Sequence, residues 1–120
     1  MKPTLKIFST YLLILFLILL SNNAFGQNIC DDDVCVVEFN AGWNKSNGVD
    51  YLDDLTDCGI KRISIDEGDW AKKYNIVVVP TIIVFNGKEV ERFQADLSFA
   101  MKATKEDVQD IVDEILMEDF

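Results

Sequence analysis

The 120-residue chain contains no histidine. Its absence removes the commonest general base, every Ser-His-Asp arrangement and the zinc sites that depend on imidazole. Cysteine is scarce: Cys30, Cys35 and Cys58 are the only three. There is no Gly-rich phosphate loop, no internal repeat and no Pro-rich linker among its six glycines and two prolines. No apolar run is long enough to cross a bilayer. Residues 7–20 amount to fourteen positions interrupted by Ser9 and Thr10, whereas a spanning helix needs about 20.

What is present begins with a three-part leader. Lys2 and Lys6 precede the apolar stretch Tyr11 to Leu20, and small residues follow at Ala24 and Gly26. This is the layout of a secretory signal, with cleavage expected after Gly26; an uncleaved anchor is the alternative. Cys30 follows "QNI", which is not a lipoprotein signal. The expected organisation is a signal peptide over 1–26, an extension over 27–33 and one domain over 34–120. The product would be exported, periplasmic or secreted, with no membrane contact after cleavage. The leader holds two of the eleven basic residues and none of the 21 acids, so the remainder carries nine against 21, a net −12. Such a surface repels phosphate backbones, which argues against nucleic acid as a partner. The acids are spread along the chain, as on a solvated surface; a basic partner is the second reading.

The apolar patterning places the elements. "VCVVEF", Val34 to Phe39, reads as a buried strand. A loop follows, and then a helix from Asn47, with Asn47 as N-cap, Asp50 completing a capping box, Val49, Leu52 and Leu55 on one face, and Gly59 as its end. "IKRISID", Ile60 to Asp66, alternates and reads as a strand. Asp69 to Asn75 reads as a short helix, and "TIIVF" as a second buried strand. Asn86-Gly87-Lys88 is a hairpin turn, because Asn-Gly supplies the positive φ of tight hairpins. Glu89 to Phe93 is the returning strand, and Ala95 to Ala103 is irregular. "TKED" at Thr104 caps a last helix whose Val108, Ile111, Val112, Ile115 and Leu116 form one stripe. The order is β-α-β-α-β-β-α: an α/β fold with a central mixed sheet and helices on both faces.

From Val34 to about Leu116 these residues resemble the thioredoxin family. Members carry a strand with a buried acid, then W-C-G-P-C at a helix start. Here "VVEFNAGW" runs into "NKSN". Trp43 matches the family tryptophan, Glu38 the buried acid and Arg62 the usual lysine. Lys73 to Phe93, "KYNIVVVPTIIVFNGKEVERF", is similar to the family's Val-Pro-Thr run with its hairpin. The resemblance implies a trimmed thioredoxin-like fold without the first strand and helix, a cis Pro80 facing the site, and a groove lined by Trp43, Asn44, Asn47, Val79, Pro80 and Thr81.

One departure from the family decides the chemistry. Asn44 and Asn47 fall on the two cysteines. Thiol–disulfide exchange needs a thiolate, and an amide cannot form the mixed disulfide, so no catalytic residue is assigned there. Cysteines restored at both positions would place the first thiol at a helix N-terminus, where its pKa should fall. Glu38 in a buried strand needs a partner, and Arg62 is the candidate for a buried ion pair. Cys30, Cys35 and Cys58 meet at the pole opposite Trp43, where one disulfide is expected. Loop entropy favours a bridge that includes Cys58. The leading expectation is an exported, non-catalytic module holding an extended peptide or protein, without cofactor or metal. The alternatives are an atypical thiol oxidoreductase using Cys30, Cys35 or Cys58, and a purely structural domain.

Overall fold

The computed structural model describes residues 29, 30 and 33–118; the leader lies outside them. The elements are β1 (Cys35–Asn40), two 3₁₀ segments (Gly42–Asn47 and Leu52–Asp54), β2 (Gly59–Ser64), α1 (Trp70–Lys73), β3 (Thr81–Phe85), β4 (Glu89–Gln94) and α2 (Lys105–Glu118). The strands form one mixed sheet in the order β2-β1-β3-β4. β1 and β2 are parallel; β3 runs antiparallel to β1, and β4 to β3. The end of β1, the start of β3 and the end of β4 therefore share one pole of the molecule.

The two central strands are mostly apolar because both their faces are covered, with Glu38 and Thr81 as their buried polar residues. Side chains alternate across the pleat. Val34, Val36, Ile82 and Val84 point to one face, where they pack with Val49, Leu52, Leu55 and the α2 residues Val108, Val112 and Ile115. Cys35, Val37, Phe39, Ile83 and Phe85 point to the other, against Ile29 and the partly buried Trp70, Tyr74 and Ile76. Fully buried Phe39, Ile82, Ile83 and Val36 each contribute about 1.5–3 kcal/mol of burial free energy.

Local chemistry sets the ends of the elements. At α2, the Asp107 N–H donates to Thr104 Oγ1 at 3.2 Å and the Thr104 N–H to Asp107 Oδ2 at 2.8 Å, a reciprocal cap. In the hairpin, Gly87 takes φ +80° and the Asn86 N–H donates to the Lys88 carbonyl at 2.9 Å. The chain leaves the short α1 through Tyr74 and Asn75, the latter at φ +54°. The carbonyls of these two residues are held from β4: Arg92 donates to Tyr74 O at 2.7 Å and Asn75 O at 2.9 Å, and Glu89 orients the guanidinium at 2.7 Å.

The helix expected from Asn47 is not formed. Asn47 ends the first 3₁₀ segment, and Gly48, at φ −59° and ψ 151°, is extended. The reason is tertiary. The buried Glu38 carboxylate accepts the Val49 N–H at 2.6 Å, and Arg62 donates to the Val49 carbonyl at 3.0 Å. Further on, Gln109 of α2 takes both the N–H and the carbonyl of Thr56, at 2.9 and 3.0 Å. Backbone groups that an α-helix would pair internally are captured by side chains from the sheet and α2. Gly59 opens β2 instead of ending a helix.

Candidate functional site

The chain leaves β1 at Asn40 and turns sharply through Ala41 and Gly42. The Gly42 N–H donates to Asp66 Oδ2 at 2.7 Å, and a Cβ at Gly42 would lie 2.9 Å from that oxygen, so a larger residue there would push the Asp66 carboxylate aside. It presents Trp43, 68% exposed, to solvent and turns Asn44, 3% exposed, inward.

Asn44 is the hub of the pole. Its Nδ2 faces three acceptors: Asn40 Oδ1 at 3.2 Å, the Val79 carbonyl at 3.4 Å and the Phe99 carbonyl at 3.0 Å. Its Oδ1 accepts from Asn47 Nδ2 at 2.9 Å. Asn40 closes the ring by donating its own Nδ2 to the Asn44 carbonyl at 3.3 Å. Asn44 and Asn47 are thus bonded to each other, and Asn44 joins the end of β1 and the segment after β4 to the loop before β3. The Val79-Pro80 bond is cis, and Asn44 reaches the carbonyl just before it.

Val79, Pro80 and Thr81 lie beneath the surface, and Thr81 Oγ1 donates to the Val78 carbonyl at 2.6 Å. Of the six residues expected to line a groove, Trp43 and Asn47 reach solvent. The remaining exposed surface of the pole comes from elsewhere. Phe99 packs edge-to-face on Trp43, with ring centroids 5.1 Å apart at 88°. Leu97 is 95% exposed and Val77 74%. Sequence reasoning missed Leu97 and Phe99 because they lie in the irregular segment Ala95 to Ala103. The available signal was two large apolar residues in a segment without periodicity.

Glu38 and Arg62 are directly paired across β1 and β2, with Glu38 Oε1 3.5 Å from Arg62 Nε. Only the acid is buried. Arg62 is half-exposed and also bonds Asp53 at 3.2 Å. Burial pushes the Glu38 carboxyl above the ordinary range; the Val49 N–H and the Arg62 charge offset part of that. A cleft of about 570 Å³ opens above this pair, walled by Gly42, Lys45, Gly48 and Ser64. Nearby, burial and the charges of Asp107 and Glu38 push Tyr51 up to about 12, while its hydroxyl donates to the Ala103 carbonyl at 2.7 Å.

The disulfide joins Cys30 to Cys35, not a pair including Cys58. Strand parity gives the reason. Cys35 points to the α1 face of the sheet, whereas Cys58 packs against the α2-side cluster. The Cys30–Cys35 link lies at the opposite end of β1 from Trp43 and brings Ile29 onto the α1-side core. Lys61 donates to the Ile29 carbonyl at 2.8 Å. Among the described residues no group of His, Cys, Asp or Glu is arranged to hold a metal, and no helix is long and apolar enough to cross a membrane.

A parallel β-crossover-β unit, an antiparallel hairpin beside it, and a cis proline facing the loop after β1 define a thioredoxin-like fold, and this chain is thioredoxin-like. It is similar to a mutant thioredoxin from Halobacterium salinarum, 25% identical over 70% of this chain and 75% of that one, with a TM-score of 0.56. A thioredoxin from Schistosoma mansoni is 25% identical, over 80% and 85% of the two chains, at a TM-score of 0.53. An oxidised thioredoxin from Plasmodium falciparum shares the fold at 19% identity, over 78% and 90%, with a TM-score of 0.51. No family model matches the chain, and no curated protein does.

Proposed function

We propose that this chain is an exported thioredoxin-like module that binds an extended polypeptide at the Trp43 pole and does no dithiol chemistry there. The observation that carries this reading is the state of Asn44. A side chain at the family's nucleophile position is buried, bonded on both its oxygen and its nitrogen, and has no sulfur. Thiol exchange needs an accessible thiolate. Binding does not, and an apolar surface at a sheet end suits an extended segment. Trp43, Leu97, Val77 and Phe99 supply that surface. The leader supports export.

The test is a titration of the protein with an unfolded, carboxymethylated polypeptide, followed by amide NMR. Shifts confined to residues 43–47, 77–80 and 95–99 are expected, with no reduction of insulin disulfides. Shifts elsewhere, or none, would reject the reading.

A second reading rests on the Cys30–Cys35 disulfide, whose Cys30 is partly exposed. If that pair exchanges with substrates, Cys30→Ser abolishes a measurable reductase activity. The depth of Cys35, 3% exposed, favours a structural staple instead, the common role of disulfides in small exported domains. A purely structural domain is the outcome if neither assay responds.

A further inference from the structure

The exposed aromatic pair carries an inference that rests on the binding reading above and narrows its partner. We propose that Trp43 and Phe99 form a recognition site for a cationic side chain, arginine or lysine, presented by the extended segment held at this pole.

Three features point there. First, the geometry leaves an indole face open. The rings meet edge-to-face at 88°, and Trp43 keeps 68% of its surface in water. A cation placed over an indole face is attracted by its quadrupole. Second, the pair is held in place before any ligand arrives. Phe99 has φ +60°, the left-handed region that an aromatic residue rarely adopts. Its carbonyl is held by Asn44 Nδ2 at 3.0 Å, and its N–H donates to the Asp96 carbonyl at 3.0 Å. Such backbone outliers cluster at ligand-binding sites. Third, the charge is complementary. The chain's net charge is −10. Asp66 adjoins the Trp43 turn through Gly42, and Asp96 lies in the Phe99 loop. The Ser98 hydroxyl and N–H keep Asp96 ionised. Lys45 lies nearby in sequence, and Lys102 pairs with Asp96 at 3.6 Å, so those two charges offset each other and the complementarity rests on Asp66 and the net charge of the chain. Leu97 and Val77 leave apolar surface for the methylene stem of a long cationic side chain or its flanking residues.

The probes are blocked seven-residue peptides of alternating serine and valine with a central arginine, lysine, norleucine or glutamate. Each is titrated into the full chain at 0.3 M salt, and the Asn44 and Phe99 backbone amides are followed by NMR in every variant, with the Trp43 indole N–H, assigned with Trp43→Phe, as a second probe in the unaltered protein. The arginine and lysine peptides should bind about three- to thirty-fold tighter than the norleucine peptide, and the glutamate peptide weakest. Trp43→Leu, at an exposed position, should equalise arginine and norleucine. Equal binding of norleucine and arginine to the unaltered protein would overturn this inference and leave the binding reading standing. An arginine preference that survives Trp43→Leu would also overturn it, as bulk charge attraction. If no peptide binds, both readings fall. A dimer that Trp43→Leu disperses, with no peptide bound, would make the patch a contact between copies and overturn the inference as well.

Discussion

Asn44 offers the sharpest test of how the pole is held together. Two amide protons on Nδ2 serve three acceptors, and Oδ1 accepts one more bond. About three bonds' worth of pairing is therefore lost in Asn44→Ala. At about 1 kcal/mol each, with part of the desolvation cost of the buried carbonyls added, the loss should be about 2–4 kcal/mol. For a domain of this size that lowers Tm by about 10–20 °C. Asn44→Asp keeps the shape and removes both donors. At pH 7 it would set a carboxylate against the Val79 and Phe99 carbonyls and Asn40 Oδ1. A buried charge facing acceptors costs more than a missing group, so Asn44→Asp should be the worse variant by about 1 kcal/mol or more. The order should narrow at pH 4, where a protonated carboxyl regains one donor. Thermal unfolding of both variants by circular dichroism at the two pH values decides it, with Asn44→Ala as the control for the chain's general acid response. If Asn44→Asp is no worse than Asn44→Ala at pH 7, or both lie within about 0.5 kcal/mol of the unaltered protein, the asparagine is not the strap described above.

Three further outcomes follow from the same geometry. Cys30→Ser opens a loop of only five residues' separation, so it should cost about 2 kcal/mol in the loop-entropy account, whereas Cys58→Ser should leave the disulfide intact by peptide mapping. Glu38 has a raised folded pKa, so its stability contribution is fully present below its unfolded value of 4.5 and is lost as pH rises through the folded pKa. Denaturant titrations of the unaltered protein and Glu38→Gln from pH 4 to 7 should therefore show the glutamate losing ground to the glutamine with rising pH; the opposite slope would reverse the assignment. Asn44→Cys with Asn47→Cys should give a first thiol with a pKa at or above the reference of about 8.5, because its position is buried and opens no α-helix. This replaces the lowered value that a helix start would imply. Alkylation rates against pH measure it, and a pKa well below 8.5 would mean that the site activates thiols after all.

Much of the framework was legible from residue type alone. The runs around Val36 and Ile83 announced two-faced strands, Asn86-Gly87 the hairpin, and Thr104 with Asp107 the start of α2. These signals depend on near neighbours. The segment from Asn47 to Cys58 was misread because its backbone partners are Glu38, Arg62 and Gln109, which are distant in sequence and outweigh a local capping pattern. The disulfide was misread for a related reason. Loop length ranks the possible bridges by entropy, but whether two thiols can meet depends on which face of the sheet each occupies. At the pole, Trp43 and Asn44 could be found by resemblance. Leu97 and Phe99 could not, since a loop residue's exposure is set by where the loop folds back.

The alternation along β1 also limits which genetic changes this chain can absorb. One short strand sends Glu38 to Arg62 on one side of the sheet and Cys35 to Cys30 on the other. Substitutions at Val36 or Val37 disturb one packing layer. Deleting codon 36 or codon 37 would shift one end of the strand by half a pleat period. The acid would then lie among Phe85 and Tyr74, or the cysteine would face away from its partner. Length variation should therefore be tolerated in the exposed turn at Glu67 and Gly68 and be lethal to folding within these six residues, a contrast that a tiled codon-deletion library would display directly.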